Sequence, residues 1–153
     1  MSFAFHIRVP RGLPALCLAC ASASAAAGPD TDRPAWILHL ASAHSQPGYD
    51  NGNLGLAHRW RNGVVLGAFH NSYGRASAYG GWLWTLDDRG RWSVFLGAAT
   101  GYGDTGERMP IAPVVAPSFR AAVTDDLGLR LSWFMDPRRG AAQVIHLSLE
   151  WSY

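Results

Sequence analysis

The sequence predicts an all-β protein, an eight-stranded antiparallel transmembrane β-barrel, and three observations carry that reading. The first is the run Gln143 to Tyr153, where Ile145, Leu147, Leu149, Trp151 and Tyr153 alternate with His146, Ser148, Glu150 and Ser152. A strict period of two makes a strand with one apolar and one polar face. The second is that turn-forming clusters cut the chain beyond residue 34 into segments of about ten residues, the length a tilted strand needs to cross a bilayer. The third is composition: 153 residues, enough for one domain, with 17 Gly, 7 Trp and only 16% charged residues. Charge this sparse excludes a disordered acidic or basic tail. A net charge of +2, carried without lysine, is too little to bind nucleic-acid phosphates. No run of 18 apolar residues is present, so a membrane-spanning helix is not expected.

Taken in order, residues 1–27 read as a secretory signal peptide and residues 28–153 as the barrel. Arg8 and Arg11 precede an apolar run from Leu13 to Cys20, and small residues follow to Ala27, with cleavage expected after Ala23, Ala25 or Ala27. Both cysteines, Cys17 and Cys20, lie in this leader, so the mature chain offers no disulfide, thiol nucleophile or thiolate metal site. Two arginines leave with it, and 11 Arg then balance 11 Asp and Glu.

Strands are expected at 35–45, 53–60, 63–72, 76–86, 92–102, 111–123, 127–136 and 143–153. The breaks at 61–63, 87–90 and 125–126 are short, whereas most of those at 46–52, 73–75, 103–109 and 137–140 are longer. Short turns on one side and mostly longer loops on the other are the pattern of bacterial membrane barrels. Trp60, Trp82, Trp84, Trp92 and Trp151 fall near strand ends on the short-turn side, where an interfacial girdle belongs. The sixth segment carries Pro110, Pro113 and Pro117, each of which removes a ladder donor. Two readings follow: either the strand begins only at Ser118, or the prolines leave an opening in the wall through which a lipid could pass sideways.

The aromatic-ended last strand resembles the C-terminal signature of outer-membrane barrel proteins. Further pieces resemble one family, the outer-membrane lipid A palmitoyltransferases called PagP. They are Phe69-His70-Asn71-Ser72-Tyr73, similar to that family's Phe-x-Asp-Ser-aromatic, and Ala78-Tyr79-Gly80-Gly81-Trp82, similar to its Ala-Gly-Tyr-Gly-Trp. Met109 to Pro117 is similar to its proline-rich Ile-Pro-Leu-Pro-Val-Leu-Leu-Pro. The resemblance runs from about Trp36 to Tyr153. It implies an outer-membrane enzyme with an apolar interior pocket for an acyl chain, moving palmitate from a phospholipid donor to a lipid A acceptor. It also implies a rim site of His, Asp and Ser. Ser72 matches the Ser, and Asn71 stands where the family has Asp. The histidine is either His39, which keeps the family's distance from the preceding proline, or His44, which sits beside the loop, level with Ser72.

Acyl transfer needs a base for the acceptor hydroxyl and a group that stabilises the oxyanion. A rim histidine can supply the first, and a serine can serve the second or act as nucleophile. An asparagine at 71 lacks the charge that stabilises an imidazolium, so three readings stand: another carboxylate, such as Asp50 in the neighbouring loop, supplies it, the mechanism does without, or the protein is a slow or inactive relative. A second reading starts from His146, Ser148 and Glu150, which share a face and resemble the His-x-Ser pair of outer-membrane lipid A deacylases. A third is a structural barrel without enzymatic activity. His58 and His70 are expected to line the interior or rim. No histidine spacing suggests a metal site, no cofactor is implied, and a monomer is expected.

Overall fold

The computed structural model describes residues 33–102, 111–134 and 142–153; the expected signal peptide lies outside them. Eight strands form a closed antiparallel barrel in chain order. They are β1 (Ala35–His44), β2 (Gly55–Arg59), β3 (Val64–His70), β4 (Ala76–Thr85), β5 (Trp92–Thr100), β6 (Ile111–Ala122), β7 (Leu127–Phe134) and β8 (Val144–Ser152). The last strand closes on the first, from Ala35 opposite Ser152 to His44 opposite Val144.

Burial is inverted relative to a water-soluble barrel. All seven tryptophans are exposed, with Leu38, Leu56, Leu66, Leu96, Leu131 and Ile145. Arg59, Ser93, Ser118, Arg120, Arg130, His146, Ser148 and Glu150 are buried. An outer wall of Leu and Trp around a polar lumen suits strands whose outside meets lipid and whose backbone groups are satisfied by closure. The polar parity of β8 faces inward, as its alternation requires.

The lumen is filled in two layers. Toward the short turns, the Glu150 carboxylate meets three guanidinium groups. Arg130 donates to Oε2 from Nε at 2.9 Å and Nη2 at 2.6 Å, Arg59 donates to Oε1 at 3.2 Å, and Arg120 Nε lies 3.3 Å from Oε1. Arg130 also donates to Ser118 and Ser93. Arg120 has its space because Gly128 lies against it, where a Cβ would come within 2.5 Å of the guanidinium carbon. Nearer the loops, Tyr79, Phe95, Phe69, His39 and His146 form a chain of ring contacts. The Phe95 ring lies over Gly81 and Gly97, the inward-facing glycines of β4 and β5. The interior pocket implied by the resemblance therefore finds its place taken: the glycines make room for the protein's own rings, and charge fills the layer beneath.

Two features of the wall position the rim. The first is a bulge in β1, where the register with β8 shifts between His39 and Ala41. A regular strand would put residues 39 and 44 on opposite faces; the extra residue re-aims the chain, so that His39, Ser42 and His44 all face inward at different heights. The second is the seam between β6 and β7. β6 is a strand from Ile111, so the reading that it begins at Ser118 is overturned. It pairs with β5 along its length, from Trp92 opposite Phe119 to Thr100 opposite Ile111. With β7 it pairs, among the described residues, from Ser118 opposite Ser132 to Ala122 opposite Gly128, while the next two residues of β7, Trp133 and Phe134, pair with β8 alone. The amide of Arg120 points to the β5 side, donating to the Arg91 carbonyl at 2.7 Å. Strand alternation then aims the odd positions of β6, Pro113 and Pro117 among them, at β7. The missing donor of Pro117 therefore falls opposite Trp133, where the described β6–β7 ladder ends.

Candidate functional site

His44, the last residue of β1, meets the β3–β4 turn at the loop end of the barrel. Its Nε2 lies 2.8 Å from Ser72 Oγ, and its Nδ1 lies 2.7 Å from Asn51 Oδ1. Tyr49 stacks on the imidazole, with ring centres 4.8 Å apart and an interplanar angle of 12°. Tyr73 meets Tyr49 edge-on and Tyr102 meets Tyr73 the same way, which builds an aromatic collar around the pair. Burial, with the neighbouring Tyr73 second, pushes the Tyr102 phenol up to about 12, so it stays a neutral hydrogen-bonding group. Backbone bonds hold the constellation independently of its side chains. Ser42 N donates to the Asn51 carbonyl and Asp50 N to the Ser72 carbonyl, both at 2.9 Å.

Of the four residues expected at the site, the structure brings His44 and Ser72 together. His39 sits deeper, with Nδ1 2.8 Å from His146 Nε2 and Nε2 2.8 Å from the Tyr79 hydroxyl. It belongs to the lumen packing.

Asn71 is a turn residue. Its Oδ1 accepts from the amides of Tyr73 at 3.0 Å and Arg75 at 3.1 Å, while its Nδ2 donates to the Gly101 carbonyl at 3.0 Å. It is fully buried and ties the β3–β4 turn to the end of β5. A carboxylate could make the two accepting bonds but would face the Gly101 carbonyl with no proton to give, so this position requires an amide.

The Asp50 carboxylate accepts from Gly52 N and lies 3.9 Å from His70 Nδ1. The group on His44 is its neighbour, Asn51. Sequence reasoning passed over Asn51 because it sits among Gly48, Asp50 and Gly52, where an asparagine reads as turn chemistry.

The His-x-Ser pair of β8 is not assembled as a hydrolytic pair. The ring nitrogens of His146 go to His39 and, at 2.9 Å, to Ser42 Oγ, while Ser148 is buried beneath the rim beside the charge cluster. His58 faces outward among Trp36, Trp60 and Tyr153, so it belongs to the interfacial girdle rather than the interior. Among the described residues no group of three or more His, Cys, Asp or Glu is placed to hold a metal ion.

Fold and burial together define an eight-stranded membrane β-barrel with a Ser–His pair at its loop rim. No family model matches the chain, and no curated protein matches it. Among solved structures it is similar to the solution NMR structure of the de novo designed TMB2.3, with a TM-score of 0.52 and 12% identity, covering 79% of this chain and 94% of that one. At that identity the likeness concerns the fold alone.

Proposed function

We propose that the protein is an outer-membrane acyltransferase that moves a fatty acyl chain from a phospholipid to lipid A. The observation that carries this reading is the 2.8 Å contact between His44 Nε2 and Ser72 Oγ. A serine hydroxyl within reach of a histidine base is what acyl-transfer chemistry uses, and here it stands on the rim of a membrane barrel, where lipid esters are at hand. The end of the described β6–β7 ladder at Ser118, beside Pro117, supports a lipid substrate, since an acyl chain could enter there from the side and leave its ester at the rim. The PagP-like sequence pieces, which include Ser72, the aromatic-glycine stretch of β4 and the prolines of β6, are what imply the donor and the acceptor. Asn71 serves as a scaffold for Ser72, and the histidine of the site is His44. With the mid-barrel filled by Tyr79, Phe95 and the charge cluster, the acyl chain lies along the seam rather than down the axis.

Purified, refolded protein mixed with phosphatidylcholine carrying a labelled palmitoyl chain and with lipid A tests this. Label appearing on lipid A supports the reading. Loss of an acyl chain from lipid A would instead support a deacylase, and no change by a fully folded barrel would leave a structural protein.

A further inference from the structure

Resting on the acyl-transfer reading of the rim, we infer that Ser72 is a covalent nucleophile, activated by His44 and positioned through it by Asn51, a Ser72–His44–Asn51 triad. The argument begins at Asn51. An amide oxygen only accepts, so Oδ1 at 2.7 Å from His44 Nδ1 requires the proton of the neutral imidazole to be on Nδ1. That leaves the Nε2 lone pair facing Ser72 Oγ at 2.8 Å, the arrangement in which the hydroxyl donates and the ring removes its proton. The order of groups is the nucleophile–base–orienter sequence of serine and cysteine hydrolases, in which asparagine fills the third place in the papain-like enzymes. Three separate elements supply it: the bulged end of β1, the β1–β2 loop and the β3–β4 turn. The bonds from Ser42 N to Asn51 and from Asp50 N to Ser72 fix their spacing, and stacking by Tyr49 fixes the ring plane.

The reaction then has two halves. In the first, Ser72 Oγ passes its proton to His44 Nε2 and bonds to the ester carbonyl carbon of the donor. The ester C–O bond breaks, and the leaving glycerol oxygen takes the proton from His44. In the second, an acceptor hydroxyl gives its proton to His44 and attacks the acyl carbon. The bond to Oγ breaks, and the serine regains its hydrogen. Asn51 touches neither substrate, and its part is to hold the tautomer and the orientation of His44.

The test uses refolded full-length protein in detergent micelles and a long-chain alkyl fluorophosphonate, read by intact mass and peptide mapping, with the gel mobility of the unheated barrel confirming the fold of each variant. A single adduct on Ser72 is expected, absent in Ser72→Ala and unchanged in Ser148→Ala. His44→Ala should label about 10²- to 10⁴-fold more slowly, and Asn51→Ala on the order of 10²-fold more slowly through misorientation of the base. Asn51→Asp, which keeps the accepting oxygen, should restore the rate. Imidazole ¹⁵N NMR should place the His44 proton on Nδ1 in the wild type and lose that preference in Asn51→Ala. A folded wild type without an adduct, or Asn51→Ala labelling at the wild-type rate, would overturn the inference. So would Asn51→Asp as slow as the alanine variant. Lipid A acylation without a Ser72 adduct would overturn the triad while leaving the acyltransferase standing. An adduct without lipid A acylation would do the reverse.

Discussion

Asn71 and Asn51 are two asparagines with opposite work. The first satisfies three backbone groups of a turn and makes the platform for Ser72; the second spends its oxygen on a histidine. Replacing Asn71 by Asp removes the donor to the Gly101 carbonyl and buries a carboxylate against it. The expected cost is about 1–3 kcal/mol, read as a lower urea midpoint for unfolding from lipid bilayers, with acyl transfer falling because Ser72 is no longer held. Sequence pattern located Ser72 and offered His44 as one of two histidines. It assigned the polar partner to Asn71 and the charge to Asp50, because adjacency in a motif says nothing of which way a side chain turns. The backbone bond from Ser42 to Asn51 and the stacking of Tyr49 on the imidazole show that the first loop folds over the histidine.

At the scale of the strand, turn-forming clusters, with the alternation of the last strand, place all eight elements within two residues of their observed ends, since short turns must punctuate strands just long enough to cross a bilayer. The bulge in β1 was not legible. Leu40 and Ala41 continue an apolar run, and a bulge leaves no composition mark when neither residue is glycine. The prolines of β6 were legible as missing donors but not as to side; the strand parity set by Arg120 N shows that Pro117 faces β7. Pro117→Ile returns one donor opposite Trp133. It should extend the β6–β7 ladder, slow amide exchange there and raise stability by about 0.5–1.5 kcal/mol. If the seam admits the acyl chain, the same variant transfers more slowly with Ser72 untouched.

The whole molecule is an inverted protein, with a cluster of four charged residues at its centre and its tryptophans outside. That Arg120, Arg130 and Glu150 lie on strands was visible in the sequence, and a charge on a membrane strand has only the lumen to face. The acyl pocket implied by resemblance conflicted with those three residues, and the structure decides for the residues. One carboxylate holds three guanidinium groups, so Glu150→Gln removes the one counter-ion of a lumen that already carries an excess of positive charge. A loss of about 3–5 kcal/mol is expected, measured by equilibrium urea unfolding in bilayers, and with it the rigid base on which the rim stands.

The central claim is that this barrel acylates lipid A through Ser72. Mass spectrometry of lipid A from cells producing the wild type and, at equal folded level in the outer membrane, the Ser72→Ala variant tests it most directly. A species heavier by one acyl chain should appear with the wild type and be missing with the variant. The same heavier species in both, or in neither, would contradict the claim.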